Sequence, residues 1–385
     1  MTATGEPSLV ELIRETIRER GPVTFAWFME QALYHPEFGY YSSGRCAIGR
    51  RGDYFTNVSV GPLFGRILAA QFAEMWERLG RPCDFAIVEQ GAHQGDFARD
   101  VLEAVRERSP KFFAALRYQI IEPFPILQGK QAEAFEDFRD KIIWKKSVAD
   151  LEPFCGVHFS NELLDAMPVH LISRIDDQRD WQERYVEESG EKFAFVARPI
   201  ADENMRAHLE KILLPDVRSY ETEVNLAALD WIDLVSRKLA RGYVLAVDYG
   251  YARDKFYAPA RTSGTLQCRA EHRTVASPLD RIGQVDISAH VEWTSLVERA
   301  AAGGLTLAGF ADQHHFMTGV ISELLPNEFS GEAEARTRRA LQTLLHPEFL
   351  GTAFQFLAMA RNVADPTLSG FKFAREPRAA LGLPD

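Results

Sequence analysis

Cysteine is scarce in this chain, and no long apolar run is present. Cys46, Cys83, Cys155 and Cys268 lie far apart and form no C-x-x-C pair. That gives no zinc-ligand spacing, and it fits a reducing compartment. No apolar stretch reaches the roughly 20 residues needed to span a bilayer. The N-terminal segment lacks a signal-peptide core, and Glu6, Glu11, Glu15 and Glu19 are unlike an acid-poor transit peptide. These features place the expected location in the cytoplasm. Basic excess is absent too: the formal net charge is −11, which argues against nucleic acid as a partner. Internal repeats and low-complexity tracts are missing. So is the G-x-G-x-x-G dinucleotide fingerprint.

What remains is an ordinary globular composition, 46% hydrophobic and 26% charged, in a chain long enough for one elaborated domain or two. Its centre is the stretch from Asp84 to Val105. Phe85 to Val88 reads as a short buried strand that Glu89 ends. Gly91 to Gly95 makes a turn, Asp96 stands where a helix N-cap would, and Phe97, Val101, Leu102 and Val105 recur at helical spacing. Strand, glycine turn and helix start bring backbone N–H groups close to a polar ligand. An acid two positions before the first glycine suits S-adenosylmethionine better than NAD. The methyl donor has no pyrophosphate to cradle, and it carries an ammonium group that a carboxylate can hold.

The flanking chain supplies the context. Helices are expected over 8–20, 24–34 and 64–79, with an aromatic and glycine-rich loop between the last two. That loop reads equally as a cap on the core or a lid over the cofactor. Tyr118 to Glu122 reads as a second buried strand ending in a carboxylate, the position at which an acid can accept from both ribose hydroxyls of an adenosine ligand. The alternative is a surface Glu at a strand end. Further strands are expected near 142–144, 157–160, 243–248, 305–310 and 354–360, with helices between them. Residues 169–225 alternate strand-like pieces with charged turns and read as an antiparallel insertion.

The fourth strand runs into Asn161, Glu162 and Asp165, an amide and two carboxylates at the carboxyl edge of a parallel sheet, where ligands bind. One helical turn would put Glu162 and Asp165 on one face. Such a pair can orient a guanidinium and polarise its nitrogen for attack on a methyl sulfonium. Alternatively, Asn161 and Asp165 cap the turn before Pro168. His314-His315 has no carboxylate or cysteine at ligand spacing, so it reads as a loop pair and no metal is expected.

Several blocks carry a closer likeness. They are Pro22 through Tyr41, Gly52-Asp53-Tyr54-Phe55-Thr56, Phe64-Gly65, Asn161 through His170, Asp248-Tyr249-Gly250, Gly264-Thr265-Leu266, His272, and Asp286 through Trp293. In this order they resemble the MidA-like family, whose mitochondrial members are respiratory complex I assembly factors with protein arginine methyltransferase activity. The resemblance implies an α/β class I methyltransferase fold, a Rossmann-like, seven-stranded doubly wound sheet. An N-terminal helical cap (1–63), two core halves (64–168 and 226–385) and an inserted β-rich subdomain (169–225) are expected, the second core half carrying the loop 251–287.

S-adenosylmethionine is the implied cofactor, held by Glu89, Gly91, His93, Gly95, Glu122, Asp53 and Thr56. Catalytic roles fall to Asn161, Glu162 and Asp165. A protein arginine substrate, dimethylated symmetrically, is implied by analogy, with a complex I subunit as the partner. The loop departs from the family's Glu-x-Gly-x-Gly-x-Gly at His93, where glycine would permit unusual dihedrals. Either the ring turns away and the cofactor binds, or the pocket is altered. Thr56-Asn57-Val58 and Gln90 also differ from the family pattern. Two other readings stay open: an assembly protein with a relic pocket, and a small-molecule methyltransferase.

Overall fold

The computed structural model describes residues 5–44, 57–175, 180–212, 214–270, 273–329 and 335–384. Asp53, Thr56, His272 and most of the glycine-rich loop lie outside the described residues. The chain divides into two units. One comprises Thr56–Leu163, Trp231–Gly250 and Trp293–Asp385; the other comprises Met1–Phe55, Leu164–Asp230 and Tyr251–Glu292.

The first unit is built on strands β1 (Phe85–Gln90), β2 (Leu116–Ile121), β3 (Ile142–Lys145), β4 (Phe154–Asn161), β5 (Leu239–Tyr251), β6 (Thr306–Asp312) and β7 (Phe354–Arg361). They stand side by side in the order β3-β2-β1-β4-β5-β7-β6. The first five are parallel, with Val88 opposite His158 and Val244 opposite the same residue on the other side. β7 runs antiparallel to both neighbours. This is the expected seven-stranded doubly wound sheet, here with its last strand reversed, and its switch point lies between β1 and β4. Ligands bind outside the carboxyl ends of the strands at such a point.

Aromatic packing fixes one face of that sheet. Phe97, from the helix Asp96–Arg108, stacks on Phe159 of β4 with ring centroids 4.5 Å apart. Phe72, from the helix Leu63–Arg78, meets the same ring edge-on at 5.6 Å. All three are buried, and truncating one to Ala would cost about 3–5 kcal/mol. β1 is longer than its apolar run implies. Glu89 and Gln90 both pair with β2 and β4, so the acid sits inside the ladder rather than beyond it.

The second unit gathers three separated stretches of chain. The helices Pro7–Arg20 and Phe25–Tyr34 start it, and Thr24 caps the second by accepting from the Trp27 N–H at 3.2 Å. Glu6 stands at the first helix's N-cap, with Pro7 at N1, so the helix begins one residue before the expected 8–20 span. Strands His170–Arg174, Gln182–Ser189, Lys192–Pro199 and Tyr220–Val224 pair antiparallel, as the charged turns between them imply. Val23–Thr24 joins the same sheet beside Gln182–Ser189. A helix, Glu203–Ile212, was not anticipated. The expected loop 251–287 contains two strands, Gln267–Ala270 and Arg273–Thr274, which form a small antiparallel sheet with Asp286–Ser288. Phe25, Phe28, Val186, Phe193 and Ile287 share one buried core.

Candidate functional site

The turn after β1 carries the first half of the site. Gly91, His93 and Gly95 all have positive φ, at 84°, 46° and 86°. His93 thus occupies the left-handed region, a conformation histidine tolerates better than most residues. Gly95 has a steric reason as well: a Cβ there would lie 2.6 Å from Cζ of Phe135. Gly95 is also the residue that caps the next helix, so the N-cap expected at Asp96 is corrected by one position. Asp96 is instead the first helical residue and pairs with Arg99 at 2.9 Å.

Two acids flank the turn. Glu89 is buried, and the Tyr118 hydroxyl donates to its Oε2 at 2.7 Å. Burial lifts its carboxyl to about 7, against the lowering effect of that hydrogen bond. Glu122 follows β2 and is also buried, so the surface alternative for it fails. The Phe124 N–H donates to its Oε1 at 3.0 Å, and the Gln131 amide donates to its Oε2 at 3.2 Å. Burial pushes this carboxyl up to about 7 as well. Gln90, on the opposite face of β1 from Glu89, accepts from the Trp231 indole at 2.9 Å.

The end of β4 supplies the third group. Asn161 donates to Glu162 Oε1 at 3.0 Å and accepts from the Asn57 amide at 3.3 Å. Glu162 has φ 52°, a left-handed conformation rare for a non-glycine residue and common at functional positions. The backbone holds it there: the Glu162 N–H donates to the Val247 carbonyl at 3.0 Å, and the Leu163 N–H donates to buried Asp248 at 3.1 Å. No helical turn follows. Residues 162–169 are bends and turns, so the expected helical pairing of Glu162 with Asp165 is corrected. Pro168 and the left-handed residue both prevent helix propagation. Asp165 belongs to the second unit, where its carbonyl accepts from the Ala289 N–H at 2.8 Å.

Among the described residues, no group of three or more His, Cys, Asp or Glu side chains is placed to hold a metal. His314 and His315 lie in the first turn of the helix Gln313–Leu324, which corrects the expected loop; His314 meets the Leu345 carbonyl at 2.8 Å, and His315 meets the N-cap Asp312 at 2.6 Å. No described helix is long and apolar enough to cross a membrane.

A largely parallel sheet with a reversed last strand, a glycine turn, one acid near the end of its first strand and another just after its second is the architecture of nucleoside-binding α/β enzymes. Residues 67–311 match the model of a family described as "Putative S-adenosyl-L-methionine-dependent methyltransferase", and the chain belongs to that family. Its sequence is 26% identical over 389 residues to the protein arginine methyltransferase NDUFAF7 homolog, mitochondrial, of Drosophila melanogaster, spanning 92% of this chain and 85% of that protein. Identity to the human protein arginine methyltransferase NDUFAF7, mitochondrial, is 23%, spanning 94% of this chain and 85% of that one. A crystal structure from Burkholderia thailandensis with S-adenosyl-homocysteine bound superposes with TM-score 0.84 at 30% identity, covering 97% of this chain and 96% of its own. A second, native structure from the same organism gives 0.81 at 28% identity, covering 95% and 94%. The MidA-like likeness of the motifs is therefore a family relationship, and the chain is an S-adenosyl-L-methionine-dependent methyltransferase.

The site suits that cofactor on its own chemistry. Two buried carboxyls with raised proton affinity are costly to ionise alone, and an ammonium group offsets that cost at Glu89. Among the described residues, buried Asn57 has no hydrogen-bond partner for its Oδ1, which lies beside Asn161. A Cβ on Gly91 would meet nothing nearer than Leu163 Cδ1 at 3.6 Å, so there is room over the turn. Sequence reasoning missed Tyr118, Gln131, Trp144 and Asp248 as supports of these groups. Only Asp248 carried a signal, as part of an Asp-Tyr-Gly block at a strand end.

Proposed function

We propose that this chain methylates an arginine side chain of a protein, with Glu162 as the residue that receives the guanidinium. The observation that carries this reading is the strained, backbone-locked Glu162, whose carboxylate is oriented by Asn161. The arginine methyltransferases among its relatives support the substrate class. When bound, the cofactor supplies a methyl group on a sulfonium. Glu89 takes the ammonium of the methionine moiety, and the Gly91–Gly95 backbone follows its chain. Glu122 accepts from the ribose hydroxyls.

Glu162 has two tasks. Its carboxylate would accept hydrogen bonds from the guanidinium and fix one nitrogen for attack on the methyl group, and its charge would stabilise the alkylated cation until the extra N–H proton passes to solvent. Positioning of this kind accounts for most of the acceleration expected in a direct displacement. The Asn161 amide keeps Glu162 from turning away. Asp165 keeps a proposed acceptor role on sequence grounds alone. Asp53 and Thr56 remain proposed cofactor contacts.

Incubating the protein with an arginine-rich peptide library and labelled S-adenosylmethionine tests the reading. Mass spectrometry should find label on arginine, as symmetric dimethylarginine. Label only on small-molecule acceptors, or none with the cofactor bound, would sink it.

A further inference from the structure

Gln131 lies on the helix Pro125–Ala134 and is fully buried. Its amide makes three hydrogen bonds. The Trp144 indole donates to Oε1 at 2.8 Å, while Nε2 donates to the His93 carbonyl at 2.8 Å and to Glu122 Oε2 at 3.2 Å. An indole N–H can only donate, so Trp144 fixes which end of the amide is oxygen. Both amide hydrogens are then committed, one to the glycine turn and one to the acid after β2. We propose that Gln131 is a positioning residue that sets the Glu122 carboxylate for the ribose of the cofactor and locks it to the turn that holds the methionine moiety. This rests on Glu122 being the ribose acid.

The count of lone pairs favours the assignment. Phe124 N–H occupies one site on Oε1, and Gln131 occupies one on Oε2. Each oxygen keeps acceptor capacity for one more donor, which matches two ribose hydroxyls. Without Gln131 only the Phe124 N–H, among the contacts described, would restrain the carboxylate about its terminal torsion, which is broad and two-fold. The His93 carbonyl, in a left-handed turn, would also lose its donor.

Calorimetric titration of S-adenosylhomocysteine and its 2′,3′-dideoxy analogue separates positioning from mere support. Wild type should prefer the intact ribose at least tenfold. Gln131→Leu should weaken S-adenosylhomocysteine about tenfold and the dideoxy analogue little, so the preference collapses. Equal loss for both ligands, or no loss, overturns the proposal. Glu122→Gln serves as the control. If wild type shows no preference, the ribose role of Glu122 fails and this inference with it; if Glu122→Gln abolishes the preference and Gln131→Leu keeps it, Gln131 alone fails. Should Gln131→Leu not fold, Trp144→Phe removes the orienting donor while sparing the amide. It must then lower the preference in the same direction, and an unchanged preference would refute the proposal.

Discussion

The Tyr118 hydroxyl lies 2.7 Å from Glu89 Oε2, between neighbouring parallel strands inside the sheet. Tyr118 therefore holds the acid expected to meet the cofactor's ammonium, and burial keeps that acid at about 7. A carboxyl raised on folding binds protons more tightly in the native state. Its stabilising contribution is present below about 4.5 and is lost as pH rises through 7. Glu89→Gln should thus gain roughly 1–3 kcal/mol over wild type at pH 8, a gain that shrinks as pH falls to 4.5. Urea denaturation without ligand reads this. The same variant should lose cofactor affinity at least tenfold, and unchanged affinity would refute the ammonium role.

Glu122 predicts the pH dependence of binding. Its carboxyl, also at about 7, must be ionised to accept from both ribose hydroxyls. Affinity for S-adenosylhomocysteine should rise between pH 6 and 8, and Glu122→Gln should reduce that rise to the part that Glu89, also at about 7, contributes. A rise of the same size in the variant would place the titration elsewhere.

Glu162→Gln keeps the shape of the side chain and removes its charge. Turnover on an arginine peptide should fall about 100-fold, with S-adenosylhomocysteine affinity within about twofold of wild type. A loss confined to cofactor binding would remove Glu162 from the acceptor site.

His158 is fully buried on β4, packs edge-on against Trp231 at 5.4 Å, and has no hydrogen-bond partner on either ring nitrogen among the described residues. Burial lowers its pKa from 6.5 to about 3. The unfolded chain takes up a proton that the native chain refuses, so stability is present above 6.5 and declines as pH falls toward 3. His158→Leu should be about 1 kcal/mol more stable at pH 7, by removing two unsatisfied polar atoms. It should also show a shallower acid limb. An identical pH profile would count against this.

The cofactor turn tests the two kinds of left-handed residue against each other. Gly95→Ala brings a Cβ onto the Phe135 ring and should cost about 1–3 kcal/mol with weaker cofactor binding. His93→Gly relieves left-handed strain and should leave cofactor affinity within a few-fold of wild type. Strong gain of binding in His93→Gly would mean that the ring obstructs the pocket.

Local pattern settled a good deal of this molecule. The alternation of short apolar runs with helical periodicity was enough for the seven strands, and the acids and glycines at strand ends placed Glu89, Gly91, Gly95, Glu122 and Glu162. These signals are legible because a strand end or a helix start depends on a few consecutive residues. Tertiary structure decided the rest. Nothing near Gln131 in the sequence shows that it meets His93 and Trp144, since those contacts depend on strand order and helix docking. The N-terminal helices and the β-rich insertion read as separate elements, yet Val23 pairs with Val186 in a single sheet. Strand pairing at that separation is set by register and by the core it buries, not by either segment alone. Glu162 shows the same limit at one residue: its spacing from Asp165 suggested a helix that Pro168 argues against locally, and hydrogen bonds from Glu162 to Val247 and from Leu163 to Asp248, far along the chain, hold the turn.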